Sequence, residues 1–242
     1  MFPYDSSLRA AVQAPPRSID EVLAAMQSME TLLVDGDGLQ WFHQLYRQVT
    51  EAVKARLASG GFSDSAWLEE LDVQFAALYF DALGKWLSGQ PAPGCWRALL
   101  ERRDQALIAR IQFALAGVNA HINHDLPLAI VATCQATGSA PLRDSPHYAD
   151  YTAVNPTLDA LIETAKRELR VRQLGDALPP VSHLEDTLAA WNVAAAREAA
   201  WTNAGILWGL RGAPLVSTGF LDALDGSTTV IGKALLVPVP LS

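Results

Sequence analysis

Apolar residues recur at helical spacing along most of this chain, and glycine or proline marks the places where the spacing fails. "RSIDEVLAAMQSMETLL" opens a helix, with Ser18 as N-cap and Glu21 three residues on in the capping-box relation. Two Asp-Gly pairs in "VDGDGLQ" predict a turn. Residues 38–59 then set Trp41, Leu45, Val49, Val53 and Leu57 on one helical stripe. After the break "GGFSDS", Ser65 is expected to cap a helix through "AWLEELDVQFAALYFDALGKWLSG" that ends at Gly89, and "QPAPG" forms a rigid turn.

A long helix is expected from Trp96 to about Asp125, with Pro127 either kinking a continuation through "DLPLAIVATCQATG" or opening a new helix. Past the proline-bearing loop "SAPLRDSPHYADYTAVNP", Pro156 opens a helix through "TLDALIETAKRELRVRQLG". "DALPPVS" reads as a linker, "HLEDTLAAWNVAAAREAAWTNAGILWGLRG" as a long late helix, and the β-branched tail "TTVIGKALLVPVPLS" as extended. Residues 1–17, with three prolines, read as an arm on the surface. Residues 18–242 read as one all-α domain: a bundle of about seven or eight helices around the central buried helix of residues 96–125.

Composition narrows the function classes. Of 242 residues half are hydrophobic and only 18% charged, which suits a large buried core and argues against disorder. A net charge of −8 without any Lys/Arg cluster disfavours nucleic acid as a partner. The longest apolar stretch, Ala106 to Val118, is interrupted by Arg110 and Gln112 and falls short of the roughly 20 residues that span a bilayer, so no membrane partner is expected. Cys95 and Cys134 lack CxxC spacing and read as buried thiols of a cytoplasmic protein, and the N-terminus lacks a signal-peptide pattern. Nucleotide-binding glycine motifs, HExxH and GxSxG are absent. A small molecule remains as the expected partner.

The chemistry concentrates in "GVNAHINHDLPL". The preceding "ALIARIQFALAGV" is apolar almost all round, the mark of a helix buried on most sides. At about 100° per residue, His121, His124 and Asp125 share one face, and Asn119 and Asn123 point roughly the opposite way. His121 and His124 have the spacing of helical metal ligands, with Asp125 as a third ligand or as the group that orients an imidazole; zinc or iron would suit such a set. Without a metal, His124 oriented by Asp125 would move a proton while Asn119 or Asn123 steadies an oxyanion, as in isomerase, cyclase or lyase chemistry. A third alternative is non-catalytic: a polar knot that fixes helix register or gates a small-ligand cavity.

Supporting groups are sought on two other helices. Asp72 and Asp81 lie nine residues apart and point to opposite sides, so at most one faces the central helix; Asp81, between Phe80 and Ala82, is expected to be the buried one. Arg197 is expected to pair with Asp125 or Asp81, and Glu198 to reach the histidines as a ligand or to pair with Arg197 alone. Trp201 and Trp208 form a stripe that suits either core or an apolar pocket. His43 reads as a satisfied or exposed histidine, and His147 and His183 as surface residues. Asp35 and Asp37 resemble a fragment of a calcium loop that lacks its distal glutamate.

"FALAGVNAHINHDLPLAIV", together with "LDVQFAALYFDALGKWL" and "AAREAAWTNAGILWGLR", resembles a bacterial, mainly actinobacterial, family known as a domain of unknown function. The resemblance covers Ile19 to Leu236, and its most specific stretch is NAHINHDLP, Asn119 to Pro127. It implies an all-helical single domain and brings no settled activity. The residues themselves therefore carry the expectation: an enzyme acting on a small, largely apolar molecule at a buried His/Asp/Asn site, with a divalent metal as one version of that site.

Overall fold

Polar side chains start several of the helices where local sequence leads one to look. The computed structural model describes residues 2–173 and 192–238. Ser18 accepts the Glu21 N–H at the head of α2 (Ile19–Glu30). Asp64, one residue before the expected Ser65, accepts the Trp67 N–H at 3.0 Å and caps α4 (Ser65–Leu87). Ser145 caps α8 (Pro146–Ala153), and Asn192 caps α10 (Val193–Leu210). The remaining α-helices are α1 (Asp5–Ala11), α3 (Leu39–Ala58), α5 (Gly94–Leu100), α6 (Arg110–Ala120), α7 (Leu126–Thr137), α9 (Asn155–Gln173) and α11 (Pro214–Leu235). Together they form an all-α single domain, with no strand among the described residues. None of the described helices is long and apolar enough to cross a membrane.

The middle of the domain is a continuous rod, α6 and α7 joined by the π-helical turn π1 (His121–Asp125). Helices α3 and α11 pack along α6, and α4 and α10 along α7. At the α3 crossing, a Cβ on Gly117 would overlap the Phe42 ring, so only glycine lets these helices approach so closely.

The rod begins later than the pattern predicts, because residues 96–125 are not one helix. After α5 the polar run 101–105 leaves the helical path, and Arg103 turns inward onto fully buried Asp37 and onto Asp5 at 3.0 Å. Asp37 also receives the Tyr4 hydroxyl at 2.9 Å and the Leu39 N–H at 3.0 Å. That buried ion pair accounts for one expected feature and one difference. The "DGDG" turn forms as expected, and its Asp37 holds Arg103. The opening segment is a short helix whose Leu8 is fully buried in the main core, instead of an arm on the surface.

The tail differs as well, since residues 228–235 complete α11 rather than running extended. Packing against α5 and α6 overrides the β-branched run Thr228–Ile231. The "DALPPVS" linker and the first part of the expected late helix, residues 183–191, lie outside the described residues.

Candidate functional site

The π-turn has a local cause. Pro127 has no N–H for the carbonyl one α-turn back, and its ring would press on that carbonyl. The chain widens just before it, so that the Leu126 N–H reaches the His121 carbonyl five residues earlier. Such turns interrupt α-helices at functional sites more often than elsewhere.

Asp125 sits at the end of this turn, 1% exposed, and is the hub of the site. Its carboxylate accepts three N–H groups: His121 Nδ1 at 2.9 Å, His124 Nδ1 at 2.7 Å and Trp96 Nε1 at 2.9 Å. Burial works to raise its pKa, but hydrogen bonds and charge from the two imidazoles outweigh that and hold it below the ordinary carboxylate range. The imidazoles diverge electrostatically. Burial dominates at His121 and pulls its pKa down in spite of Asp125. At His124 burial also lowers, but the Asp125 hydrogen bond, its charge and the charge of Asp225 prevail, and the pKa rises. With Nδ1–H given to the carboxylate, neutral His121 keeps its lone pair on Nε2.

That Nε2 is buried and has no hydrogen-bond partner. Tyr46 Oη and Asp72 Oδ2 are among the other buried atoms in the same condition. His121, Tyr46 and Asp72 all line one cavity of about 80 Å³ whose other walls are almost entirely apolar. A single water needs about 10–15 Å³, so the void exceeds what one solvent molecule fills. The His121 ring lies flat on Phe75, with centroids 3.5 Å apart, and edge-on to Tyr46 at 4.3 Å. Burial, with a smaller push from Glu69, raises the Asp72 carboxyl to about 7. Burial, with the Asp72 charge second, holds the Tyr46 hydroxyl well above its ordinary value.

Arg197 lines the same cavity. Its Nε donates to Asn155 Oδ1 and its Nη2 to the Tyr151 carbonyl, both at 2.7 Å, and its guanidinium lies 3.9 Å from the Tyr151 ring centroid. No carboxylate among the described residues is within ion-pair reach of it. The expected pairing with Asp125 or Asp81 does not form.

Other expected residues lie elsewhere. Asn119 donates to the Thr228 carbonyl at 2.9 Å, and Asn123 to the Asn119 side chain at 3.0 Å, so this pair staples the rod to α11 rather than reaching the cavity. The aspartate assignment on α4 is reversed. Asp81 is exposed and paired with Lys85 one turn on at 2.6 Å, and Asp72 is the buried one. Glu198 is held at the surface by Arg143 and by the Tyr148 hydroxyl at 2.6 Å, away from the histidines. Trp201 is 1% exposed, in core contact with Trp67 and Tyr151. His43 is fully buried and satisfied, with Nε2 2.9 Å from the Met26 carbonyl, and burial pushes its pKa down to about 4. His147 stacks half-buried on Trp67; His183 lies outside the described residues.

The proposed metal trio is also arranged differently. His121, His124 and Asp125 meet, but each Nδ1 is spent on Asp125, whose two oxygens already hold three donors. Their lone pairs do not converge on one point. The three-residue set with converging ligand atoms among the described residues is Cys95, His124 and Asp225. Sequence reasoning missed Tyr46, Phe75, Cys95 and Asp225 as site residues. A signal existed for α4: Asp72, Phe75 and Tyr79 fall at i, i+3 and i+7 and share a face. None existed for Asp225, which sits between the expected late helix and the expected extended tail, in a stretch to which no element was assigned.

Fold and site together define an all-α domain in which a buried carboxylate–imidazole relay ends at the wall of an apolar cavity. The chain belongs to a family of unknown function (DUF5995), whose profile matches residues 19–238. No curated protein and no solved structure matches it.

Proposed function

We propose that this protein is an acid–base enzyme acting on a small, largely apolar molecule held in the cavity beside π1. The observation that carries the reading is that three buried polar atoms without partners, His121 Nε2, Asp72 Oδ2 and Tyr46 Oη, belong to residues lining one apolar void. An unsatisfied buried polar atom costs about 1–3 kcal/mol, and a ligand that brings complementary donors or acceptors removes that cost. His121 accepts a proton at Nε2 while Asp125 holds the ring and stabilises the imidazolium that results. Asp72, protonated below about pH 7, or the Tyr46 hydroxyl returns a proton to the substrate. Arg197 offers a cation to any anionic end of that molecule.

The chemistry is that of an isomerase, cyclase or lyase, with His121 rather than His124 as the base and without Asn119 or Asn123 as oxyanion donors. Buried Cys95 and Cys134 are free thiols, which suits the reducing bacterial cytoplasm where we propose the enzyme works. We take Asn119–Pro127 as the family's signature, because these residues build π1 and its carboxylate hub.

A generic probe tests the base directly. 5-Nitrobenzisoxazole, a small apolar molecule, opens when a base removes its ring C–H proton, releasing a coloured phenolate. The wild-type protein should accelerate this reaction, and His121→Gln should lower the rate by about 10²-fold, the usual worth of a positioned base. Equal rates for the two proteins would overturn the proposal.

A further inference from the structure

We propose a divalent-metal site, distinct from the cavity, formed by Cys95 of α5, His124 of π1 and Asp225 of α11. One ligand atom from each, a sulfur, an imidazole nitrogen and a carboxylate oxygen, lies within 4.8 Å of the others. Tetrahedral coordination at zinc-like bond lengths puts ligand atoms about 3.5 Å apart, so small side-chain rotations close the set around an ion. Mixed sulfur, nitrogen and oxygen ligands suit zinc, or cobalt in its place.

Each ligand is held in place by its surroundings. Asp225 accepts the Gly94 N–H at 2.8 Å and the Cys95 N–H at 2.9 Å, which fixes its carboxylate against α5 while each oxygen keeps a lone pair. His124 gives Nδ1–H to Asp125 at 2.7 Å, which turns Nε2 outward as the free ligand atom. An imidazole anchored by a carboxylate behind it is the usual support of a metal-binding histidine. The third position, Cys95, is 1% exposed. Burial first, then the Asp125 and Asp225 charges, raises its thiol pKa, so the apo site holds a proton there.

A further feature points to an occupant. Thr229 Oγ1 is buried and unpartnered, and it lies beside Asp225 Oδ2 in the space that a Gly94 side chain would fill. A water completing the coordination of the ion is a natural partner for that hydroxyl. Binding displaces the Cys95 thiol proton and any proton on His124 Nε2 to solvent, and the ion's two charges offset the thiolate and the carboxylates around it. The site shares Asp125 with the cavity relay but does not depend on the acid–base reading, and its test measures no turnover.

Titration of the protein with cobalt(II) reads the ligands by colour. We expect one equivalent to bind, with a thiolate-to-cobalt charge-transfer band. The band should vanish in Cys95→Ser and persist in Cys134→Ser, and affinity should fall at least about tenfold in His124→Gln and in Asp225→Asn. In zinc-loaded wild type, X-ray absorption should show one sulfur at about 2.3 Å, a readout that needs no variant to fold. A folded wild-type protein without the band, a band that survives in Cys95→Ser, or a zinc shell without sulfur would each overturn the site.

Discussion

At the scale of single residues, Asp125 decides what the two histidines can do. One carboxylate, fed by two imidazoles and an indole, favours the cation at both, but burial overrides it at His121, which stays neutral, and yields to it at His124, whose pKa rises. NMR titration of the imidazole nitrogens should find His121 below the ordinary 6.5 and His124 above it. The stability consequences have opposite signs. Because the folded His124 pKa is raised, its contribution is complete below about pH 6.5 and is lost as pH rises through the folded value. The His121 and Asp125 pKa values are depressed, so their contributions are present above the unfolded values and are lost as pH falls through the folded ones. Asp72 behaves like His124 in sign. Its carboxyl, raised from 3.8 to about 7, stabilises the fold while protonated and costs stability as it ionises. At about 1.4 kcal/mol per pKa unit, burial of the charged form would cost at most about 4 kcal/mol. Asp72→Asn should therefore gain on the wild type in urea midpoint as pH rises from about 5 to about 8. Parallel profiles for the two proteins would show that Asp72 is not the raised group. Choosing Asp72 over Asp81 was beyond the sequence. Both sit among apolar neighbours on α4, and which one is buried depends on how that helix is rotated against α7 and α8.

At the scale of elements, close approach outweighs propensity. Gly117→Ala would gain about 1 kcal/mol of helix propensity, but its Cβ would overlap the base of the Phe42 ring, which has nowhere to swing. Overpacking of that kind costs about 1–3 kcal/mol or more, so the variant should be destabilised and its melting temperature should fall. Gly226→Ala makes the opposite case. Nothing lies within 4 Å of its Cβ position on α11, so the propensity gain of about 0.5–1 kcal/mol should appear as a higher melting temperature. The helix start marked by Ser18 was legible because a cap acts over three residues, whereas the start of α4 was expected one residue late, at Ser65 instead of Asp64. The break between α5 and α6 was not, because it is set by an ion pair between Arg103 and residues 66 and 98 positions earlier in the chain. Helix α11 escaped notice for the same reason, since its low-propensity run is helical only against α5 and α6.

At the scale of the whole molecule, the cavity lies where α3, α4 and the rod meet α9 and α10, and no single element contains it. Leu158 on α9 and His121 on π1 are both on its wall. Filling it from the far side, with Leu158→Trp, should abolish turnover of the benzisoxazole probe while the far-ultraviolet spectrum stays that of the folded protein. Undiminished turnover would place the chemistry outside the void. What the sequence by itself determined was local: helical periods, the Ser18 cap, an all-α domain, and a buried helix that carries two histidines and an aspartate. These follow from spacing along the chain and from interactions a few residues long. Only the tertiary structure decided that Asp125 serves both imidazoles and that Asp72 rather than Asp81 joins them. It alone brought Cys95 and Asp225 to His124 across 130 residues of chain. The physical reason is that the void and the convergence arise from how helix faces are rotated and packed against one another. Helical periodicity places side chains on those faces without choosing which faces meet.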